Sequence, residues 1–317
     1  VLILRDDASP RSERPSVVAL GVFDGLHRGH RGVLELLVSL AAQYDALATV
    51  VTFDPSPALV LAPTKAPRLL ATIDQRLEGL AALGVDQVRV LTFTPALARE
   101  TATDFVDRVL VGDLRARCVV VGEDFHFGHD REGSVELLRA LGPARGFDVV
   151  AAPLFGENER WSSTAVRHAL ERGDLESAAK VLGRPFSLRG VVEHGDQRGE
   201  TLGFPTANLA LSSTQALPDE GVYAGAARID RRWWPAAISV GTRPQFYEEG
   251  ELLVEVYVLD FDGDLYGRTL DVVFFERLRA QSTFSDVDAL SAQIARDVEQ
   301  TRQIFATVPA HGPELLE

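Results

Sequence analysis

The sequence predicts an α/β half followed by an antiparallel β half. Up to about residue 182, short β-branched runs alternate with segments of helical period. After Gly183 the texture becomes alternating strands separated by Gly, Asp and Pro turns, and one long helical pattern closes the chain. With 317 residues and 46% hydrophobic content, the chain can bury a sizeable core, and its length favours two domains, placed at 1–182 and 183–317.

Taking the elements in order, 16–23, 48–53, 87–93, 118–122 and 147–152 read as buried strands, with helices at 31–44, 73–83, 104–111 and 134–141 between them. That alternation implies a parallel sheet with right-handed crossovers and a ligand site at the carboxyl ends of its strands. The first fifteen residues are polar and are expected to be disordered. In the second half the strands are 188–192, 221–227, 234–240, 252–259 and 269–275, and Asp262-Gly263 between the last two signals a hairpin. These form a small antiparallel barrel or sandwich. It is closed by a helix over 286–305 with apolar Val287, Leu290, Ile294 and Val298, whose start at Ser285 and Asp288 resembles a capping box.

Forty-six acidic against 32 basic residues give a net charge of −14, which repels nucleic acid and anionic membranes and leaves a small anionic partner held by local groups. The lone cysteine, Cys118, lies in the apolar run 118–121 and is expected to be a buried structural thiol, with no disulfide or cysteine zinc site open to it. No apolar stretch approaches the roughly 20 residues of a membrane span. The acids near Val1 do not suit a signal peptide, so a cytoplasmic protein is expected, and a homo-oligomer is left open. All but two of the 32 basic residues are arginine, Lys65 and Lys180 being the exceptions, which weakens any argument from a single Arg. The chain contains no Met.

The segment Gly21-Val22-Phe23-Asp24-Gly25-Leu26-His27-Arg28-Gly29-His30 leaves a strand and enters a helix. Gly25 and Gly29 permit a close backbone approach, and two imidazoles three apart flank a helix start whose free N–H groups favour phosphate. A surface turn or a pair of zinc ligands would use the same residues, although no third ligand stands at a suitable spacing. Ser162-Ser163-Thr164 followed by Arg167 opens another helix, where hydroxyls serve as caps or cradle a triphosphate. In the second half a Gly-rich connection from Gly195 to Gly203 leads to Thr206 and Asn208, which share one face of an extended segment and could both give oxygen to Mg²⁺, or simply bond their own turn. Glu255 lies opposite Val254 and Val256, either as the solvent face of an edge strand or as a base lining a cleft.

GVFDGLHRGH at 21–30, VVGEDFHFGHDREG at 120–133 and SSTAVR at 162–167 resemble the adenylyltransferase half of the prokaryotic bifunctional riboflavin kinase/FAD synthetase family, which carries a histidine-x-glycine-histidine signature. LGRPFSLRGVVEHGDQRGETLGFPTANL at 182–209, GVYAG at 221–225, VEVYVLDFDGDLYG at 254–267 and FFERLR at 274–279 resemble the riboflavin kinase module of the same family. The resemblance implies an α/β Rossmann-like nucleotidyltransferase domain followed by a small antiparallel β-barrel kinase domain with a C-terminal helix. It implies two reactions: riboflavin and ATP give FMN, then FMN and ATP give FAD and pyrophosphate, with Mg²⁺ assisting. His27 and His30 would act on the ATP phosphates, with Gly21, Phe23, Asp24, Gly25 and Gly29 around them and Ser163, Thr164 and Arg167 closing on the triphosphate. Asp124 and Phe125 would lie at the flavin phosphate. In the kinase half Thr206 and Asn208 would hold Mg²⁺, Glu255 would be the base, Gly195 to Gly203 would cover the nucleotide, and Arg279 and Phe284 would lie near the flavin.

The chain departs from the family pattern at Ser56, where a histidine is usual, at Trp161, where a β-branched residue is usual, and at Arg243 and Gln245. Ser56 and Trp161 motivate a second reading, a riboflavin kinase whose first domain has decayed to flavin-nucleotide binding. A third is a flavin-sensing regulator without turnover, against which the intact Thr206, Asn208 and Glu255 argue.

Overall fold

Runs such as Ser16–Leu20 and Ala116–Gly122 are apolar on both faces, so they can be buried only inside a sheet covered on two sides. The computed structural model describes residues 1–5, 14–153, 155–156, 161–194, 203–242 and 252–309. It divides into two units, the described residues of Val1–Pro67 with Ile73–Ser162, and those of Arg68–Thr72 with Ser163–Leu315.

Unit one is a six-stranded parallel sheet of β1 (Leu2–Arg5), β2 (Ser16–Leu20), β3 (Leu47–Phe53), β4 (Gln87–Leu91), β5 (Ala116–Gly122) and β6 (Asp148–Ala152), in the order β1-β4-β3-β2-β5-β6. Side chains alternate between two cores. Val17, Ala19, Val50 and Val88 pack beneath α1 (Arg28–Gln43) with Leu34 and Leu37, and beneath α3 (Ile73–Ala82), which follows the short α2 (Pro57–Leu61). Val18, Leu20, Val51 and Val119 face α4 (Ala102–Phe105), the π-helical Val106–Asp113 that continues it, and α5 (Val135–Arg145). The strand order reverses between β2 and β5, so the crevice for a ligand opens where Gly21–His30 leaves β2 and Glu123–Gly133 leaves β5.

The expectation of disorder over the first fifteen residues is corrected for 2–5. Leu4 is buried and the segment pairs in parallel with β4, extending the sheet, whereas residues 6–13 lie outside the described residues.

Unit two is a closed barrel, not a sandwich. Its strands are β7 (Phe186–Glu193), β8 (Ala207–Ala210), β9 (Gly221–Ile229), β10 (Arg232–Thr242), β11 (Leu252–Val258) and β12 (Thr269–Arg279), antiparallel in the order β10-β11-β8-β7-β12-β9. Leu188, Leu209, Ile238, Val254, Val256 and Val272 fill it, and α6 (Ser163–Glu171) and α7 (Leu175–Leu182) add Val166, Leu170 and Leu182 to the same core. Close packing requires Gly225, since a Cβ there would stand 2.1 Å from the Val273 carbonyl oxygen. The Asp262-Gly263 hairpin is a second correction. β7 and β8 lie between β11 and β12 in the barrel, so the connection is a crossing in which the Asp264 carboxylate accepts the Tyr266 N–H (2.9 Å).

The closing helix, α8 (Val287–Phe305), is capped by Asp286, whose carboxylate accepts the Ala289 N–H (2.8 Å), while Ser285 donates to Asp286 instead of capping. Its buried residues are Asp297 and Thr301, and Val287, expected on the apolar stripe, is 62% exposed. Among the described residues no helix is long and apolar enough to cross a membrane.

Candidate active sites

In unit one the chain turns through left-handed backbone at Phe23, Gly25 and Leu26 before α1 begins. His27 is the N-cap, and its Nδ1 accepts the His30 N–H (3.3 Å). A neutral His27 therefore carries its proton on Nε2. The His27 and His30 rings stack with centroids 3.7 Å apart, and Phe23 meets His30 edge-on at 5.2 Å. Gly29 packs closely, since a Cβ there would come within 3.1 Å of the His27 ring and of the Trp161 carbonyl oxygen and would make them give by a few tenths of an ångström. The arrangement stacks two imidazoles at the positive end of a helix, where the His30 N–H is taken by His27 Nδ1 and the Arg31 N–H by the His27 carbonyl (3.0 Å), a setting that suits phosphate. Among the described residues no group of His, Cys, Asp or Glu is arranged to hold a metal.

Burial, reinforced by the neighbouring His27, holds the His30 pKa well below the ordinary histidine value of 6.5. The folded chain thus refuses a proton that the unfolded chain accepts below about pH 6.5, so His30 lowers stability as pH falls below that value. Thermal unfolding followed from about pH 7.5 to 5.5 should show a smaller loss for His30→Gln than for the wild type. Equal losses would place the titrating group elsewhere.

Asp24 is buried, and Gly21 lies against the Phe23 ring, 3.1 Å from where its Cβ would stand. Asp124 is exposed on the loop after β5, and Phe125 stacks on Phe127 with centroids 5.7 Å apart. Ser56 is 6% exposed at the start of α2 and makes no side-chain cap bond. Trp161 docks its ring on the first turn of α1, 5.2 Å from the Arg28 guanidinium, and its backbone N–H donates to the Phe155 carbonyl (3.0 Å). Cys118 is fully buried, and burial first among the causes pushes its thiol up to about 11, as an unreactive core thiol should behave.

Unit two holds the other expected groups. Ser163 and Thr164 open α6, and Arg167 donates from Nε to the Arg68 carbonyl (2.5 Å). On the barrel, Ala207 and Leu209 point inward and Asn208 outward, as do Glu255 between Val254 and Val256. Register then aligns Ser239, Glu255, Asn208 and Glu193 as direct neighbours across β10, β11, β8 and β7. Directly opposed residues on one face hold their Cβ atoms about 4.5–5.5 Å apart. Asn208 is only 9% exposed, and its Oδ1 has no hydrogen-bond partner among the described residues. A buried amide oxygen left unpaired costs about 1–3 kcal/mol, so this atom is poised for a ligand. Thr206 is half-buried just ahead of β8, and Gly203 takes the left-handed conformation. Gly195, Arg243 and Gln245 lie outside the described residues.

Arg279 and Phe284 are brought together, with the guanidinium 5.6 Å from the ring centroid. Arg279 is also bound by both oxygens of Asp297, itself 3% exposed, at 2.8 to 3.2 Å, and by the Ala280 carbonyl and the Ser282 hydroxyl. Gln281 in the same loop donates to the Ser239 hydroxyl and the Val240 carbonyl, each at 3.0 Å. The loop before α8 is thereby tied to the helix on one side and to the Glu255 row on the other. Asp297 and Gln281 were not among the expected site residues. The signal available for Asp297 was a carboxylate at i+3 from Ile294 on the apolar stripe, a position that a charge occupies only when paired.

The FAD synthetase family matches residues 9–165 and the riboflavin kinase family matches residues 182–305. The chain is 40% identical to the bifunctional riboflavin kinase/FMN adenylyltransferase of Pseudomonas fluorescens, over 92% of this chain and 94% of that one. It is 41% identical to the protein of the same name from Escherichia coli (strain K12), over 93% and 94% of the two chains. A crystal structure from Streptococcus pneumoniae titled a macrolide-efflux protein superposes with a TM-score of 0.84 at 32% identity, covering 95% of this chain and 99% of that one. By its matched regions and its full-length relatives, the chain belongs to the bifunctional riboflavin kinase/FMN adenylyltransferase family.

Proposed function

We propose that unit two phosphorylates riboflavin with ATP to give FMN and ADP, and that the FMN is adenylylated at the His27-His30 site to give FAD and pyrophosphate. The observation that carries this reading is that one chain holds both constellations, the stacked histidines at the start of α1 and the Glu255-Asn208 row on the barrel. The functional boundary is placed at 182/183, in keeping with the start of the riboflavin kinase match at 182. The reading that keeps only the kinase is not favoured, because the FAD synthetase match spans 9–165 and both histidines are present. A net charge of −14 fits small anionic substrates gripped locally in preference to nucleic acid, and a cytoplasmic setting supplies ATP.

In the kinase reaction Glu255 takes the proton of the riboflavin 5′-hydroxyl as its oxygen attacks the γ-phosphorus of ATP and ADP leaves. Asn208 Oδ1, buried and unpaired, and the Thr206 hydroxyl are hard oxygen donors that fit Mg²⁺. Mg²⁺ bound there would neutralise phosphate charge. Phe284, set by the Arg279-Asp297 clamp, offers an aromatic face to the flavin. In the adenylyl transfer an oxygen of the FMN phosphate attacks the α-phosphorus of ATP and pyrophosphate departs. His27 Nε2 and the first amides of α1 hold the phosphates, and His30 lies stacked behind His27. Asp124 and Phe125 are assigned to the flavin end.

Removing the Asn208 oxygen tests the metal assignment. Asn208→Ala should raise the Mg²⁺ concentration giving half-maximal FMN formation by about tenfold, within the range seen when groups orienting a metal are lost. FAD formation from supplied FMN should keep its Mg²⁺ dependence. An unchanged Mg²⁺ requirement for FMN formation would remove Asn208 from the metal site.

A further inference from the structure

Arg76 lies on the apolar face of α3 beside Leu77 and Leu80 and is 1% exposed, among the most completely buried side chains of the chain. Its Nη1 donates to the Val22 carbonyl (2.9 Å), the Thr52 hydroxyl (3.3 Å) and the Phe53 carbonyl (3.4 Å), and Nη2 reaches the same Phe53 carbonyl (3.5 Å). Thr52 donates in turn to the Val22 carbonyl (3.2 Å). Among the described residues no carboxylate stands within 4.0 Å of the guanidinium, and its Nε has no partner. Burial works against the charge, and the fields of Asp24 and Asp54 favour it.

A buried cation held by carbonyls, without a bonded counter-charge, is costly. A leucine at this stripe position would fill the core at no such cost, so the polar contacts need a purpose. Their acceptors indicate one. Val22 and Phe53 are where the chain leaves β2 and β3, and Val22 immediately precedes the left-handed Phe23 that starts the turn into His27. With its carbonyl fixed inward by two donors, the Val22-Phe23 peptide has one orientation, and the following turn is presented to the crevice in one geometry. A lysine would keep the charge but not the fixed, planar donor directions by which Nη1 meets both strand exits and Nη2 adds a second contact to the Phe53 carbonyl.

We propose that Arg76 is a positioning residue for adenylyl transfer, clamping the exits of β2 and β3 so that the 21–27 turn is preorganised for the ATP phosphates. This rests on the adenylyltransferase reading above, and its test includes a readout that does not. In the full chain, hydrogen exchange of the amides in 21–27 should be at least about tenfold faster in Arg76→Lys than in the wild type, with β2 itself unchanged, as expected for local opening. In the FAD-forming assay Arg76→Lys should raise KM for ATP and the inhibition constant of pyrophosphate together by about tenfold, a step of 1.4 kcal/mol. KM for FMN and the rate of FMN formation should stay within about twofold, the scatter of a change that misses those steps. Arg76→Gln, which keeps a planar donor and loses the charge, should fall between the two if hydrogen bonding dominates. Unchanged exchange in 21–27 for Arg76→Lys would overturn the clamp. So would ATP and FMN constants that shift in parallel, the behaviour of a residue that only supports the fold. A wild type that makes no FAD would count against the reaction assignment, while the exchange result would still decide the clamp.

Discussion

Glu255→Gln is expected to reduce FMN formation by about 10²–10⁴-fold, the usual contribution of a positioned general base. The substitution preserves volume and strand pairing, and Glu255 stands on the outer face of β11 between two fully buried valines, so the barrel core is not disturbed. On the proposed assignment, what is lost is the group that accepts the 5′-hydroxyl proton. Adenylyl transfer from supplied FMN should proceed at the wild-type rate. Separate assays for FMN and FAD on one preparation provide the check, and a loss shared equally by both activities in a folded protein would refute independent sites.

The reciprocal change concerns the stacked histidines. His27→Ala combined with His30→Ala is expected to lower FAD formation by about 10²–10³-fold or more, the scale of removing preorganised donors to developing phosphate charge. Because His27 also caps α1, alanine there removes a cap that contributes about 0.5–2 kcal/mol, which would blur chemistry with stability. His27→Asn avoids this, since asparagine is itself a favoured cap and lacks the imidazole Nε2. It should reproduce most of the loss of FAD formation with little change in melting temperature. FMN formation should be retained by all of these variants. Full FAD synthesis by His27→Asn would assign the phosphate contacts to the backbone amides alone.

The parts of this molecule that were legible in the sequence are those written in contiguous residues. The strand-turn-helix of 21–30 places its glycines and histidines within one turn of chain, so the motif and its geometry coincide. The buried strands of unit one were evident because β-branched runs covered on both faces have few alternatives. β1 and β8 are four residues each, too short for a period to stand out, and both owe their existence to neighbours distant in sequence. Asp262-Gly263 has the composition of a tight hairpin, yet the barrel order separates the strands it joins, a long-range preference that local turn chemistry does not encode. The same holds within the sites. Thr206, Asn208 and Glu255 are identifiable singly, whereas the row that joins Glu255 to Asn208, Ser239 and Glu193 exists only through barrel register. Arg76 and Asp297 occupy helix positions that pattern reading assigns to apolar side chains, so periodicity alone gives no reason to single either of them out.

The most direct test of two reactions on one chain is pyrophosphate release by the wild-type protein given FMN as the only flavin, with ATP and Mg²⁺. Sustained release of one pyrophosphate per FAD formed, together with ADP production when riboflavin replaces FMN, is the predicted result. ADP production from riboflavin with FMN accumulating and no pyrophosphate released would contradict it and leave the chain a kinase alone.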